Sequence, residues 1–336
     1  MQIKIESFLD ILGIPDTQFV VPVYQRVYSW TERQATGFLE DVLNAAETRT
    51  SHFAGILLFS VDADSWGDYG RLRIIDGQQR LTTITLMLIA LARKIEEGAL
   101  DDLTADEVLK RYLLAGNSTD APSKLMLSHL DRGTLATLID NGEMPKEHSE
   151  RLVENLKIFE DRLEEGDKEI ATKLWRGLNQ LQVITALLEG EDSPQLVFES
   201  LNSKGSPLTA SDLVRNTLLF GTDEAQRRTL YEARWRLLEQ AVCAIDGASM
   251  DTMIRAWLAA RFRDERVRNE TDIYSVLRDY LRTSDETLED MLEDLGKFGA
   301  KYTSNNEWRA KVDKFAKDWL EDRPRMSVSQ FKMFGS

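Results

Sequence analysis

The chain has 336 residues, a formal net charge of −15, 42% hydrophobic residues and one cysteine. Length and composition are those of a globular protein with a sizeable core, and the acidic balance argues against broad, nonspecific binding to nucleic acid. One cysteine excludes a disulfide framework, and the lack of a long apolar run or a signal-peptide pattern predicts a cytoplasmic protein without a membrane span.

The first hundred residues are predicted to alternate helices and strands. Apolar periodicity predicts three helices, over residues 7–12, 30–48 and 80–97. Ser29 and Glu32 are spaced as the capping box of the second helix, and Gly98 is placed to end the third. Three strands are expected over 17–23, 53–61 and 71–76, the last two as a hairpin-like pair.

The rest of the chain is predicted to be mostly helical. Residues 104–176 open on a capping box, Thr104 with Glu107, and strands are expected only at "KLMLSHL" and over 181–189. Further on, Ser193 with Pro194 begins a short helix that Gly205 ends, and Thr209 with Asp212 caps the next. From residue 223 onward only helices are expected, and Cys243 is interpreted as a buried small hydrophobe in one of them.

These elements predict an α+β fold with a small mixed sheet, a large helical content and an all-helical region at the end. We expect one domain over residues 1–222, with a helical insertion at about 100–176, and a helical domain over 223–336. The chain stops within helical sequence, which we interpret as truncation before a further domain.

A wholly polar turn, Asp76-Gly77-Gln78-Gln79-Arg80, separates the last of these early strands from an apolar helix. Free amides at a helix start form an anion site, and Arg80 adds a permanently charged fork suited to phosphate oxygens. Gly77 lets the backbone approach a ligand closely, and Asp76 could hold water or a metal. The alternative is an ordinary turn in which Arg80 pairs with a nearby carboxylate.

A second stretch, "VPVYQRVYSW", repeats the glutamine–arginine chemistry of the turn. Gln25 and Arg26 are flanked by Tyr24, Tyr28 and Trp30, and interleaved aromatic rings and a cation suit stacking on a base beside a phosphate contact. The alternative is that the aromatic residues pack in the core or at its rim.

A third stretch, "FESLNSKGSPLTASDLVRN", places Glu199 and Asn202 three residues apart on one helical turn. Carboxylate and amide oxygens are hard ligands that Mg²⁺ accepts when phosphates complete its shell. Asp212 and Gly205 are assigned mainly to helix capping and termination. No Walker loop, GxGxxG or GxSxG pattern occurs, and the three histidines are isolated.

Together with "HFAGILLF", these three stretches resemble, in order, the N-terminal domain family of GmrSD-type modification-dependent restriction enzymes, over about residues 5–222. The resemblance implies a ParB/sulfiredoxin-like fold that binds and hydrolyses a nucleoside triphosphate. It places the nucleotide site at the DGQQR motif, residues 76–80, with Tyr24, Gln25 and Arg26 in the first family motif. Related ParB proteins use a glutamate–asparagine pair near a magnesium nucleotide, which is similar to Glu199 and Asn202.

The resemblance also implies partners and cofactors. Mg²⁺ and GTP or ATP are the expected ligands, with Asp76, Gln78, Gln79 and Arg80 as catalytic residues. In that family the domain is the sensor and regulatory half of defence systems that cut phage DNA with modified bases or modified backbones, so the expected partners are modified DNA and a His-Asn-His-type nuclease domain or subunit that this sequence lacks. From their residue types, Tyr28 and Trp30 are the expected DNA or base contacts. The helical tail could form a homodimer, dock the nuclease or brace the fold.

Two other functions stay open at this point. The chain could be a non-catalytic reader of modified DNA, in which the polar turn holds a backbone phosphate. It could also be a phosphotransferase, because ParB-like folds host small-molecule kinases, although the sequence does not identify a molecule that would accept the phosphoryl group.

Overall fold

The computed structural model describes residues 2–23, 25–61, 69–98, 100, 102–188, 209–220, 226, 229–262 and 270–321. The chain divides into two compact units, residues 1–200 and 201–336. The predicted short helix over 193–205, with Ser193, Pro194 and Gly205, lies outside the described residues.

The first unit is built on a six-stranded mixed sheet with the order β1-β6-β3-β4-β2-β5. The β1–β6 and β3–β4 pairs are antiparallel, and the β6–β3, β4–β2 and β2–β5 pairs are parallel. The strands are β1 (Gln2–Ser7), β2 (Thr17–Val20), β3 (His52–Val61), β4 (Gly70–Asp76), β5 (Leu125–Met126) and β6 (Leu181–Leu188).

Helices of the first unit pack against the sheet to form one core. They are α1 (Phe8–Leu12), α2 (Glu32–Thr48), α3 (Gln78–Glu96), α4 (Ala105–Val108), a π-helix (Leu109–Leu113), α5 (His129–Ile139) and α6 (Glu150–Gln180). Helix α3 is buried along almost its whole length because apolar residues occupy most positions, among them Leu81, Ile84 and Leu88 at 0% exposure. Each such side chain contributes about 1.5–3 kcal/mol by burial.

The described part of the second unit is helical and contains no strand. It comprises α7 (Ala210–Phe220), a π-helix (Tyr231–Trp235), α8 (Arg236–Cys243), α9 (Met250–Arg261), α10 (Glu270–Thr283), α11 (Leu288–Ser304) and α12 (Asn306–Glu321). Trp235 and Trp257 are each 1% exposed and belong to its interior. In the residues described, no helix has the length and apolar character needed to cross a membrane.

The predicted α+β class is confirmed, as are the antiparallel β3–β4 pair, the Thr104–Glu107 capping box and the Thr209–Asp212 cap. Strand β2 ends at Val20, earlier than predicted, just before the proline at position 22. The predicted strand at "KLMLSHL" is reduced to two residues, Leu125–Met126.

Two predictions were wrong, and one strand was not predicted. The capping box of α2 is Thr31 with Gln34, because the Ser29 amide donates to Gln79 instead. Strand β1 was missed. Cys243 is exposed, since it lies on the last turn of α8, whose buried residues are Leu238 and Val242.

Candidate functional site

The polar turn lies at the junction of β4 and α3. Gly77 is the N-cap residue of α3 with φ of 98°, a left-handed conformation that glycine adopts without strain. A Cβ at this position would lie 2.3 Å from Leu57 Cδ2, so no other residue fits without displacement. Because glycine has no side chain to cap the helix and the first turn has no acidic residue, the first amides of α3 are left for another acceptor.

Arg80 is held by the neighbouring strand. Its Nη1 donates to the Ala54 carbonyl oxygen at 2.8 Å and its Nη2 to the Ile56 carbonyl oxygen at 2.8 Å. Asp76 Oδ2 lies 3.7 Å from Arg80 Nη2, and both side chains are partly exposed. Burial lowers the pKa of the Arg80 guanidinium, and the Asp76 carboxylate opposes that shift. A guanidinium keeps its charge even so.

Gly55 makes the docking of Arg80 possible. It has φ of +100°, at a bulge of β3, and a Cβ there would lie 1.6 Å from Arg80 Nη1. This residue was not predicted as part of the site. Its signal in the sequence was a glycine inside an otherwise apolar strand, "FAGILLF", a position that often marks a bulge or a close approach.

The structure brings the first and second motifs together. Gln25 Nε2 donates to the carbonyl oxygens of Ile74 and Ile75 at 2.6 and 3.2 Å, so the loop rests on the end of β4. Gln78 Nε2 donates to the Arg26 carbonyl oxygen at 2.8 Å. Gln25 and Gln78 are therefore buried and bonded to backbone, whereas the Arg26 side chain is partly exposed.

Gln79 makes the third connection between the turn and this loop. Its Oε1 accepts from the Ser29 amide at 2.9 Å, and its Nε2 donates to the Val27 carbonyl oxygen at 3.3 Å. Unlike Gln78, the Gln79 side chain is partly exposed.

Tyr28 lies in the core rather than at a surface. It is 2% exposed, and its hydroxyl is 2.8 Å from Thr83 Oγ1 and accepts from Asn155 Nδ2 at 3.0 Å. Its amide donates to Asp131 Oδ2 at 2.6 Å, and burial raises the pKa of its phenol. In this structure Tyr28 therefore has no face for a base, and the polar partners that fix it were not found from the sequence.

Trp30 is half-buried and packs edge-on against Phe38, with ring centroids 5.4 Å apart. Its carbonyl oxygen accepts from Asn155 Nδ2 at 2.9 Å. Tyr24, Glu199 and Asn202 lie outside the described residues. Elsewhere in the described ranges, no group of three or more histidine, cysteine, aspartate or glutamate side chains is placed to hold a metal.

The polar turn and the 25–30 loop both lie within a segment that matches a known protein family. The family profile described as GmrSD restriction endonuclease, N-terminal domain, matches residues 8–219, which include the 25–30 loop and the polar turn. No curated protein matched the chain. Since the profile covers more than half of its length, the chain belongs to the GmrSD restriction endonuclease N-terminal domain family and is a component of a restriction system.

Proposed function

We propose that the chain binds and hydrolyses a nucleoside triphosphate and that this reaction regulates DNA cleavage by the restriction system. The observation that carries the proposal is the uncapped start of α3, flanked by the partly exposed side chains of Asp76, Gln79 and Arg80. Amides at a helix start, a cation and a carboxylate are the groups that a magnesium nucleotide requires.

The residues present fit the phosphate groups of a nucleotide. The first amides of α3 lie at the N-terminus of the helix, which carries partial positive charge. Gly77 has no side chain, so a phosphate group can approach the backbone closely. Arg80 uses its Nη1 and Nη2 on two carbonyl oxygens but stays partly exposed, so a guanidinium with five N–H groups retains donors for phosphate oxygens.

Asp76 is the residue that would hold Mg²⁺. A protein often supplies Mg²⁺ with only one or two carboxylates, while phosphate oxygens and water complete the octahedral shell. Bound Mg²⁺ would neutralise charge on the phosphate oxygens, and Glu199 and Asn202 remain proposed as further ligands of the magnesium nucleotide. GTP or ATP is the proposed nucleotide.

Gln79 is the better placed of the two glutamines to orient a water molecule. Gln78 is 5% exposed and its amide nitrogen is bonded to the Arg26 carbonyl, so its role is to hold the 25–30 loop. Gln79 is accessible, and its Oε1 already accepts from the Ser29 amide. Ligand binding at Gln79 would therefore also change the hydrogen bonds that hold the 25–30 loop.

This coupling suggests how a nucleotide could control a partner. The 25–30 loop is bonded to the turn at one side and, through Tyr28, to α5 and α6 at the other. The proposed partners are DNA carrying modified bases and a His-Asn-His-type nuclease domain or subunit that cuts it.

The experiment that tests the proposal is phosphate release from ATP, GTP, CTP and UTP with Mg²⁺, with and without modified DNA. Arg80→Ala should reduce turnover at least about 100-fold, because it removes a charge that stabilises the transition state. Arg93→Ala is the matched control: Arg93 lies in the last turns of the same helix and also bonds a carboxylate and a carbonyl oxygen, those of Glu160 and Leu138.

Equal turnover in Arg80→Ala and Arg93→Ala would show that residues 76–80 are not the catalytic site. Loss of turnover in both, with equal loss of thermal stability, would attribute the effect to folding. No turnover with any nucleotide, together with salt-dependent DNA binding that Arg80→Ala weakens, would favour the non-catalytic reader of modified DNA.

A further inference from the structure

A cleft lies in the first unit, and its lining residues differ from those of the proposed nucleotide site. Its volume is about 530 Å³, within the range of small-molecule sites. The turn between α1 and β2 forms one wall and the π-helix forms another. Residues that line it and matter below are Asp16, Lys110, Arg111, Tyr112, Lys124 and Trp175.

Lys124 is a buried cation with no carboxylate partner. The residue is 2% exposed, and its Nζ donates to the carbonyl oxygens of Ile14 and Arg111 at 2.9 Å each. Among the described residues, no acidic side chain forms an ion pair with it. The pKa of Lys124 is lowered to about 8, mainly by burial, while the Asp16 carboxylate opposes this shift and the Arg111 guanidinium adds to it. A buried ammonium held by carbonyl oxygens alone is further stabilised when an anion approaches it.

Arg111 adds a second uncommitted cation to the same cleft. Its guanidinium carbon lies 5.3 Å from the centroid of the Tyr112 ring, and within the described ranges it forms no ion pair. Of the other charged residues in the lining, Lys110 pairs with Asp106 at 2.9 Å, and the Glu107 carboxylate accepts hydrogen bonds from Thr104 at the start of its own helix. Asp16 and Glu107 are the acids of the lining without an ion pair among the described residues, and both are exposed, whereas Lys124 is buried.

The backbone around these cations is unusual. Arg111 and Tyr112 belong to the π-helix, a form that is rare and is concentrated at functional sites. Asp16 has φ of 46°, in the left-handed region. Trp175 is half-buried and contacts Tyr112 edge-on at 6.1 Å, so an aromatic surface lies beside the two cations.

From this geometry we infer that the cleft binds a small organic anion with a planar ring, whose anionic group faces Lys124 and Arg111 and whose ring packs on Trp175. The site is distinct from the polar turn, and the inference does not depend on nucleotide hydrolysis.

Pyridoxal 5′-phosphate is a suitable probe because it combines a phosphate, a planar ring and an aldehyde that condenses with an uncharged lysine amine. The full chain is incubated with it at pH 8, reduced with borohydride and mapped by peptide mass spectrometry. We expect Lys124 to be labelled at least about 10-fold more than the exposed Lys157, and inorganic phosphate or benzoate to compete. If only phosphate competes, the anionic group of the natural ligand is a phosphate. If only benzoate competes, it is a carboxylate.

Two comparisons separate anion recognition from simple amine reactivity. Pyridoxal without the phosphate should label Lys124 at least about 5-fold less, and Arg111→Gln should reduce labelling by pyridoxal 5′-phosphate to a similar extent. Arg80→Ala should leave the labelling unchanged, because the polar turn is a separate site. Equal labelling by the two aldehydes, no effect of Arg111→Gln, or no preference for Lys124 over Lys157 would each overturn the inference.

Discussion

At the scale of single residues, the polar turn depends on a glycine that lies outside it. Arg80 reaches the carbonyl oxygens of Ala54 and Ile56 only because Gly55 between them has no side chain. Leaving buried carbonyl groups without donors costs about 1–3 kcal/mol each. Arg80 therefore stabilises the bulge of β3 and can serve as a ligand-binding cation as well.

Gly55→Ala should displace the Arg80 guanidinium and destabilise the fold by about 1–3 kcal/mol, because it combines a positive φ with a steric overlap. Urea unfolding measures the free energy, and phosphate release measures the consequence for the proposed site. Gly37→Ala is the control, since a Cβ there meets nothing within 4 Å and Gly37 lies inside α2. The control should be neutral or stabilising by up to about 1 kcal/mol, and equal effects of the two substitutions would contradict the steric explanation.

Lys124 makes stability depend on pH in the alkaline range. Its folded pKa of about 8 is below its usual value of 10.5, so between these values the unfolded chain holds a proton that the folded chain has lost. The free energy of unfolding therefore rises with pH in this window. Because one pKa unit corresponds to about 1.4 kcal/mol, the difference between wild type and Lys124→Met should change by up to about 3 kcal/mol from pH 8 to 10.5.

The measurement is urea unfolding of both proteins at a series of pH values. Titration of the tyrosines acts on both proteins and cancels in the difference. A difference that stays constant across the window would show that Lys124 titrates near its usual pKa.

At the scale of secondary-structure elements, a buried polar network joins α3, α6 and the 25–30 loop. Tyr28 Oη bridges Thr83 of α3 and Asn155 of α6, and Asn155 is fully buried. Such networks fix one arrangement of their elements when most groups are paired. Through this connection, a change at the turn could reach α6.

Tyr28→Phe should lower the free energy of unfolding by about 1–2 kcal/mol, since it leaves the Thr83 hydroxyl and the Asn155 amide without this partner. A double-mutant cycle with Thr83→Val should give a coupling energy of at least about 0.5 kcal/mol. Tyr69→Phe is the control, because the Tyr69 hydroxyl forms no hydrogen bond in the described part of the chain. Additive effects of Tyr28→Phe and Thr83→Val would argue against coupling.

The elements also show which features local sequence can predict. Helix α3 was predictable because its apolar residues leave no polar face, and the β3–β4 pair because a short loop joins two apolar runs. Strand β1 was not. Its partner β6 is about 180 residues away, and Ile3 and Ile5 are 59% and 73% exposed, so no local burial pattern reports it.

The candidate site also contains both residues that local sequence can predict and residues that it cannot. The polar turn stood out because two glutamines and an arginine follow its Asp-Gly pair, and these three are not typical turn residues. Gly55, Asp131 and Asn155 could not be found, since their roles arise from contacts between distant parts of the chain. The capping box failed for a similar reason, because the Ser29 amide is taken by Gln79 of another helix.

At the scale of the whole molecule, the net charge of −15 restricts how the chain could bind DNA. The acidic balance argues against a general electrostatic attraction, so the proposed DNA contact requires a local group of cations. Arg26 is one partly exposed candidate beside the polar turn, whereas Tyr28 is buried and has no face available to a base. For the proposed recognition of modified DNA, a conformational response of this chain therefore fits the structure better than stacking of a base on Tyr28.

Hydrogen–deuterium exchange of the full chain, with and without Mg²⁺ and a non-hydrolysable ATP or GTP analogue, tests that response. A ligand at the start of α3 should slow exchange in peptides covering residues 25–30 and 76–83, because the loop and the turn share the hydrogen bonds of Gln78 and Gln79. Helix α11 of the second unit is the internal control and should exchange at an unchanged rate. Protection of the turn without the loop would break the proposed coupling, whereas protection of neither, at saturating analogue, would place the nucleotide elsewhere.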